Sequence, residues 1–235
     1  MNVLGIETAT LVCGAAAVVD ANIRADVWVE EENVHAEHLM MLIGTALEKA
    51  RLSVEELDGI AVSIGPGSFT GLRIGASIAK GLAFARGTPI VAVPTLASLA
   101  ERIVHSGSCP EHAILLPVLD ARRDEVYCQL FEVRSGRAIP ISEPRDVNVA
   151  RLTDLVDSRE VLVTGEAAAR VVAMQSSTGL AGPGWHCADP ALRRCSAGMI
   201  AVIGEAMLQR GETIPVADIE PQYIKEFYFR QRQQQ

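Results

Sequence analysis

Gly59-Ile60-Ala61-Val62-Ser63-Ile64-Gly65-Pro66-Gly67-Ser68-Phe69-Thr70-Gly71-Leu72-Arg73 reads as a buried strand that breaks into a glycine-rich turn and then a helix. The run Gly59 to Ile64 is short, continuous and apolar, which is the pattern of a strand covered on both faces. Gly65-Pro66-Gly67-Ser68 ends it, and Ser68 supplies the side-chain oxygen of a helix N-cap. The helix spans about Thr70 to Arg86, with Gly87 as its stop. Upstream, Leu39, Leu42, Ile43, Ala46, Leu47 and Ala50 recur at helical spacing between His35 and Arg51. Before that helix lie three strands, Val3–Ile6, Val12–Val19 and Ile23–Val29, the last with Ile23, Ala25, Val27 and Val29 on one face. Asp20-Ala21-Asn22 turns the second into the third, and Ser53-Val54-Glu55-Glu56 is a capping box for one short helical turn. Downstream come a strand at Ile90–Val93 and a helix capped by Thr95 that runs to about Ile103.

The order of three strands, helix, strand, helix, strand, helix then starts again. Ala113–Leu119, Glu125–Val133 and Ala138–Ile141 are its strands, with Ser135-Gly136-Arg137 as a turn. Val149–Val156 follows as a helix, Val161–Thr164 as a strand, Ala167–Met174 as a helix, and Ser196–Arg210 as a stronger helix with Ala197, Ile200, Ala201, Gly204, Met207 and Leu208 on one face. The repeat is one of pattern, not of residues. Periodicity breaks near 104–112, which divides the chain into lobes 1–105 and 106–235. Two such lobes, each a mixed α/β sheet flanked by helices, describe the actin-like ATPase and sugar-kinase (RNase H-like) fold.

Of 235 residues, 49% are apolar and only 4% aromatic, so Ala, Val, Leu and Ile must build the core. Twenty-one basic against 29 acidic side chains leave a net charge of −8, which excludes a nucleic-acid binder acting alone. Cys13, Cys109, Cys128, Cys187 and Cys195 form no Cys-x-x-Cys pair and read as free thiols in a reducing compartment. The first positive side chain is Arg24, and the longest uncharged run, Val171 to Ala188, contains Gln, Ser, Thr, Gly and Pro. A cytoplasmic protein with no membrane span is expected.

Three segments carry a family resemblance: Ile6-Glu7-Thr8-Ala9-Thr10, Gly65-Pro66-Gly67-Ser68-Phe69-Thr70-Gly71-Leu72-Arg73-Ile74-Gly75, and Asp120-Ala121-Arg122-Arg123-Asp124-Glu125-Val126-Tyr127. With them the chain resembles the TsaB (YeaZ) family from its first strand to about Val133, and weakly again at Pro221-Gln222-Tyr223-Ile224. The resemblance implies a non-catalytic subunit in the synthesis of threonylcarbamoyladenosine next to the anticodon of tRNA. It further implies a heterodimer with the transferase TsaD, work alongside the ATPase TsaE, a homodimer when alone, and tRNA reached only through the complex.

Phosphate sites in this fold are hairpin turns whose backbone N–H groups face the anion. The first is expected at Glu7, Thr8 and Thr10, where Ala9 stands in place of a useful glycine. The second is expected at Asp120 to Asp124, where Arg122 and Arg123 replace the glycines of kinases, giving a turn salt-bridged to Asp124 and Glu125. Of an adenine-binding Gly-Gly turn only Gly165 remains. These are vestigial loops, and no cofactor is expected on the chain alone; ATP or ADP, if held, belongs at the interface with TsaD. Nor is a metal expected. The Thr95–Ile103 helix lacks the His-x-x-x-His pair of TsaD relatives, and His35 and His38 stand at a helix start that disfavours cations. Ser68 is misplaced for a nucleophile elbow. No catalytic residue is expected; the alternatives are an ATP-dependent small-molecule kinase of the actin-like fold, against which the missing glycine turns argue, and an inactive metallopeptidase-like paralogue, against which the missing His-x-x-x-His argues.

The remaining signal is surface. Leu39 to Leu47 is apolar almost all round, more than a helix covering one sheet face requires. With Leu39, Ile43, Ala46, Leu47 and Ala50 facing the sheet, His38, Met41, Leu42 and Thr45 point away. Gly71, Gly75, Ala79 and Ala83 form a ridge of small residues on the next helix. A helix-on-helix interface through His38, Met41, Leu42, Thr45, Gly71, Gly75 and Ala79 is expected; the competing reading is a deep core covered by the chain itself. The tail Tyr223–Arg232, rich in aromatic and basic residues, is expected to pack back on the body.

Overall fold

Strand β1 (Asn2–Glu7) is the middle of a five-stranded sheet in a computed structural model that describes residues 1–32, 34–107, 109–156, 160–178 and 184–224. On one side β2 (Val12–Val19) pairs antiparallel to β1, and β3 (Asn22–Glu30) antiparallel to β2; on the other, β4 (Gly59–Gly65) and β5 (Ile90–Pro94) run parallel. Helix α1 (His35–Ala50) and helix α2 (Phe69–Arg86) start from the end of the sheet at which β1, β3 and β4 finish and lie on one of its faces. Ser68 caps α2 as expected, its hydroxyl accepting the Gly71 N–H at 3.2 Å, and Gly87 closes it in the left-handed region.

The second sheet repeats the topology around β6 (Ile114–Arg122). Antiparallel β7 (Glu125–Cys128) lies on one side of it, and parallel β11 (Val161–Thr164) and β12 (Trp185–Cys187) on the other. The strand expected over Glu125–Val133 is broken at Gln129-Leu130, where both residues turn to Ser142: Gln129 Nε2 donates to its carbonyl at 2.8 Å and the Leu130 N–H to its hydroxyl at 2.9 Å. Beyond the break β8 (Phe131–Arg134) still pairs with β6, while β9 (Arg137–Pro140) joins β8 and β10 (Arg145–Asn148) joins β7. Val149–Leu155 is a 3-10 turn instead of the expected α-helix, and α4 (Ala168–Thr178) covers one face. This is the expected actin-like, RNase H-like architecture.

Two helices are exchanged across residues 105/106. Helix α3 (Thr95–His105) follows the first sheet but buries Leu96, Leu99, Ala100 and Ile103 against Leu115, Leu119 and Phe131 of the second. Its first residue is Thr95, so the cap position falls to Pro94 and not to Thr95 as expected. Helix α5 (Ala197–Gln209) follows the second sheet and packs Ile200 and Ala201 on Val3, Val18, Ala61 and Val91 of the first. The fit is tight enough that a β-carbon on Gly5 would stand 2.1 Å from the Ala197 carbonyl oxygen. A bulge between Ala17 and Val18 turns Ile23 to this α5 face, away from Ala25, which corrects the single-faced reading of β3.

Helix orientation corrects part of the expected interface. Leu42 is 6% exposed and belongs to the core with Leu39, Ile43 and Ala46. Gly71, Gly75 and Ala79 are buried too, because α2 lays its small ridge on its own sheet: β-carbons at Gly71 and Gly75 would stand 2.2 Å from the Thr8 carbonyl oxygen and 2.3 Å from Thr8 Oγ1. The outward side of α2 is different, and Gly81 there has open space around it. Gly71→Ala is therefore expected to destabilise the fold by about 2–3 kcal/mol through overpacking. Gly81→Ala, on the same helix, should stabilise it by about 0.5–1 kcal/mol through propensity. Denaturant titration of the two variants checks the contrast.

Candidate functional site

The lobes enclose a cleft of about 900 Å³. Thr10 and Leu11 of the β1–β2 turn, Glu32 before α1, Ser68 and Phe69 at the start of α2, Asp120 and Arg122 of β6, and Glu166 after β11 all reach it. Residues 214–224 run along the first lobe to its mouth. Ile214 N–H bonds to Ile90, Lys80 Nζ donates to the Ala217 carbonyl at 2.9 Å, Ile219 is buried, and the Gln222 N–H reaches the Ile64 carbonyl at 2.7 Å. Tyr223 then lines the cleft with its ring 5.1 Å from that of Phe69. The expected packing-back of the tail is seen for Tyr223 and Ile224; residues 225–235 lie outside the described residues.

The first turn has turned its donors inward. The Ala9 N–H donates to Glu7 Oε1 at 2.6 Å, the Thr8 N–H to Ser63 Oγ at 3.2 Å, and the Val12 N–H to Thr10 Oγ1 at 3.2 Å. The Ala9 carbonyl is claimed by the Ser68 N–H at 2.6 Å, and the Thr10 carbonyl by His35 Nε2 at 3.0 Å, so that nitrogen carries the proton. Glu7, Thr8 and Thr10 are all buried, and neither Glu7 nor Thr8 lines the cleft. A phosphate cradle needs these N–H groups free and facing the cleft. Among the described residues no ion pair reaches Glu7: Ser63 Oγ donates to Oε1 at 3.1 Å, Oε2 has no partner, and burial pushes the carboxyl up to about 7.

At the second turn, Arg123 and Asp124 form the tip between the paired residues Arg122 and Glu125, with Arg123 at φ +53°. Arg122 lines the cleft and Arg123 does not. The ion pair here joins Asp120 to Arg170 of α4, a partner the sequence did not indicate. Glu166 Oε1 accepts the Asp120 N–H at 3.3 Å; burial first, then Asp120 and Glu30, raise its carboxyl above the usual range. Gly165 serves packing: at φ +101°, a β-carbon on it would stand 2.1 Å from the Val118 carbonyl oxygen.

Away from the cleft, α1 and α2 expose large apolar side chains among charged ones such as Glu37, Glu48 and Arg86. Met41 is 56% exposed, as expected, and His38 and Thr45 are half-buried, bonded to the carbonyls of Val34 and Met41. Sequence reasoning missed Met40 at 53% and Phe84 at 82% exposure. The signal was present: Phe84 is the bulky neighbour of Ala83, the last member of the buried small-residue ridge.

Glu7 makes a pH prediction. Its folded-state pKa of about 7 exceeds the ordinary 4.5, so the folded chain binds this proton more tightly than the unfolded chain. Its contribution to stability is fully present below about 4.5 and declines as pH rises through 7, by about 3 kcal/mol at most. Glu7→Gln keeps an acceptor for Ala9 and Ser63 and removes the proton. The wild-type-minus-variant difference in unfolding free energy should fall between pH 4.5 and 7.5; a flat difference would refute the assignment.

The family model for tRNA N6-adenosine threonylcarbamoyltransferase (TsaD) matches residues 30–188. The tRNA threonylcarbamoyladenosine biosynthesis protein TsaB of Escherichia coli is 27% identical over 239 residues, covering 96% of this chain and 95% of its own. TsaB of Bacillus subtilis is 28% identical over 160 residues, covering 68% of each chain. YeaZ from Pseudomonas aeruginosa superposes with a TM-score of 0.78 at 23% identity, over 94% of this chain and 99% of that one, which is a likeness of fold. Among the described residues no helix is long and apolar enough to cross a membrane. Motifs, topology and relatives agree: the chain belongs to the TsaB/YeaZ family, within the wider group matched by the TsaD model, and takes part in the biosynthesis of threonylcarbamoyladenosine in tRNA.

Proposed function

We propose that the chain is a non-catalytic partner subunit that dimerises with TsaD through the outward faces of α1 and α2, and pairs with a second copy through the same faces when alone. The observation that carries this reading is the exposure of Phe84, Met40 and Met41 beside Gly44 and Gly81, two glycines with open space around them. Large apolar side chains gain about 1.5–3 kcal/mol each on full burial, and side-chain-free positions let a partner helix come close. Flexible methionines suit a surface that meets two different partners.

The absence of chemistry of its own is supported by the first turn, whose N–H groups at Thr8, Ala9 and Val12 are spent inside the chain, and by Arg122 where kinases of this fold carry glycine. We place any ATP or ADP at the shared interface with TsaD instead of in this chain's cleft, with TsaE joining the complex. The net charge of −8 supports tRNA being reached through the complex, in the cytoplasm.

Met41→Glu and Phe84→Glu should fold with melting temperatures close to wild type, since both sites face solvent. Each should weaken pairing with TsaD at least about tenfold, because a carboxylate buried between apolar helices is costly unless paired. Synthesis of threonylcarbamoyladenosine by the reconstituted proteins should fall in step. Leu42→Glu should instead unfold the chain. Wild-type affinity in both folded variants would place the interface elsewhere.

A further inference from the structure

We infer that the interlobe cleft is a receiving groove for a basic segment of the docked partner, an Arg- or Lys-bearing stretch flanked by aliphatic or aromatic residues. The inference rests on the docking reading above and extends it to a second surface.

The groove is continuous with the docking face. His35 and Ala36 begin α1, and Phe69 and Thr70 begin α2; all four line the cleft. Met40 and Met41 lie about 7.5 Å further along α1 at 1.5 Å per residue, so a partner seated on the helices reaches the cleft mouth within a few residues. Arg73 stands at the junction. Its guanidinium lies 4.0 Å from the Phe69 ring centre and its Nε donates to Tyr223 Oη at 3.1 Å, which holds both rings as a fixed wall.

The lining selects the sign and the size of the occupant. Asp120 is already paired with Arg170, which leaves Glu32 and Glu166 against Arg122, two acids to one base. The first turn has no Thr8, Ala9 or Val12 N–H to offer an anion. Burial above all, and then Asp120 and Glu30, disfavour the charged form of Glu166, which an incoming cation would favour. A volume near 900 Å³ exceeds one guanidinium, and Leu11, Phe69, Ile74 and Tyr223 give apolar walls that a small free cation would leave wet. A peptide alternating charge with apolar bulk covers both kinds of surface.

The test places the photo-crosslinking residue p-benzoylphenylalanine at Ala121, on the cleft lining, in the full chain mixed with TsaD. Irradiation should join it to a TsaD segment containing Lys or Arg beside an aliphatic or aromatic residue. Glu32→Lys, at an exposed site, should lower that yield and weaken the complex about threefold to tenfold while pairing through α1 and α2 persists. A complex that forms without this cross-link overturns the groove alone, as does capture of an acidic segment or of residues 225–235 of this chain. A wild-type mixture that forms no complex overturns the groove and the docking reading together.

Discussion

The close approach of α2 to the turn after β1 is the constraint on which the site depends. Gly71 and Gly75 let the helix come down on Thr8 until there is no room for a side chain, and the Ser68 N–H ties the same helix start to the Ala9 carbonyl. With that turn pinned from above, its own donors close onto Glu7, Ser63 and Thr10. The turn is thus a packed corner. The helix that achieves this spends its small face inward and must show its other side, with Phe84, to solvent. The inward-turned donors of this corner and the outward exposure of Phe84 are two results of one packing arrangement.

The second organising feature is the exchange of helices. Arg102 of α3 donates to the carbonyls of Arg194 and Ala191 at 2.9 and 3.0 Å, which ties the helix leaving the first lobe to the segment entering it. Asp26 of β3 accepts from Ser196 at 2.7 Å at the same crossing, and Arg194 stacks 3.5 Å over Trp28. These contacts and the two shared cores join the lobes on a scaffold that neither provides alone.

Strands with apolar runs were legible in the residues: β2 and β11 were found to their ends, and β4 almost so. Strands that owe their place to a neighbour were not. The segments β10, which carries Arg145 and Asp146, and β12, only three residues long, pair because β7 and β11 offer edges, and no local pattern announces that. On α1 the stripe was read one position off at Leu42, since Leu39, Leu42, Ile43, Ala46 and Leu47 make a buried arc wider than the one assumed. For α2 the small ridge was seen correctly but its partner was not: Gly71 and Gly75 say that something comes close, and only the tertiary fold says that it is Thr8. Likewise Gly165 was a fragment of a ligand motif in the sequence and is a contact with Val118 in the fold.

The helix exchange also dictates an order of events during synthesis. One face of the first sheet, with Val3, Val18, Ala61 and Val91, has as its cover a helix that begins only at residue 197. While the chain emerges from the ribosome, that face stays open through the making of the entire second lobe. The N-terminal lobe therefore cannot complete its folding as an independent vectorial unit. Its final closure coincides with the arrival of the last helix, and the exposed interval is the time when a chaperone has most to protect.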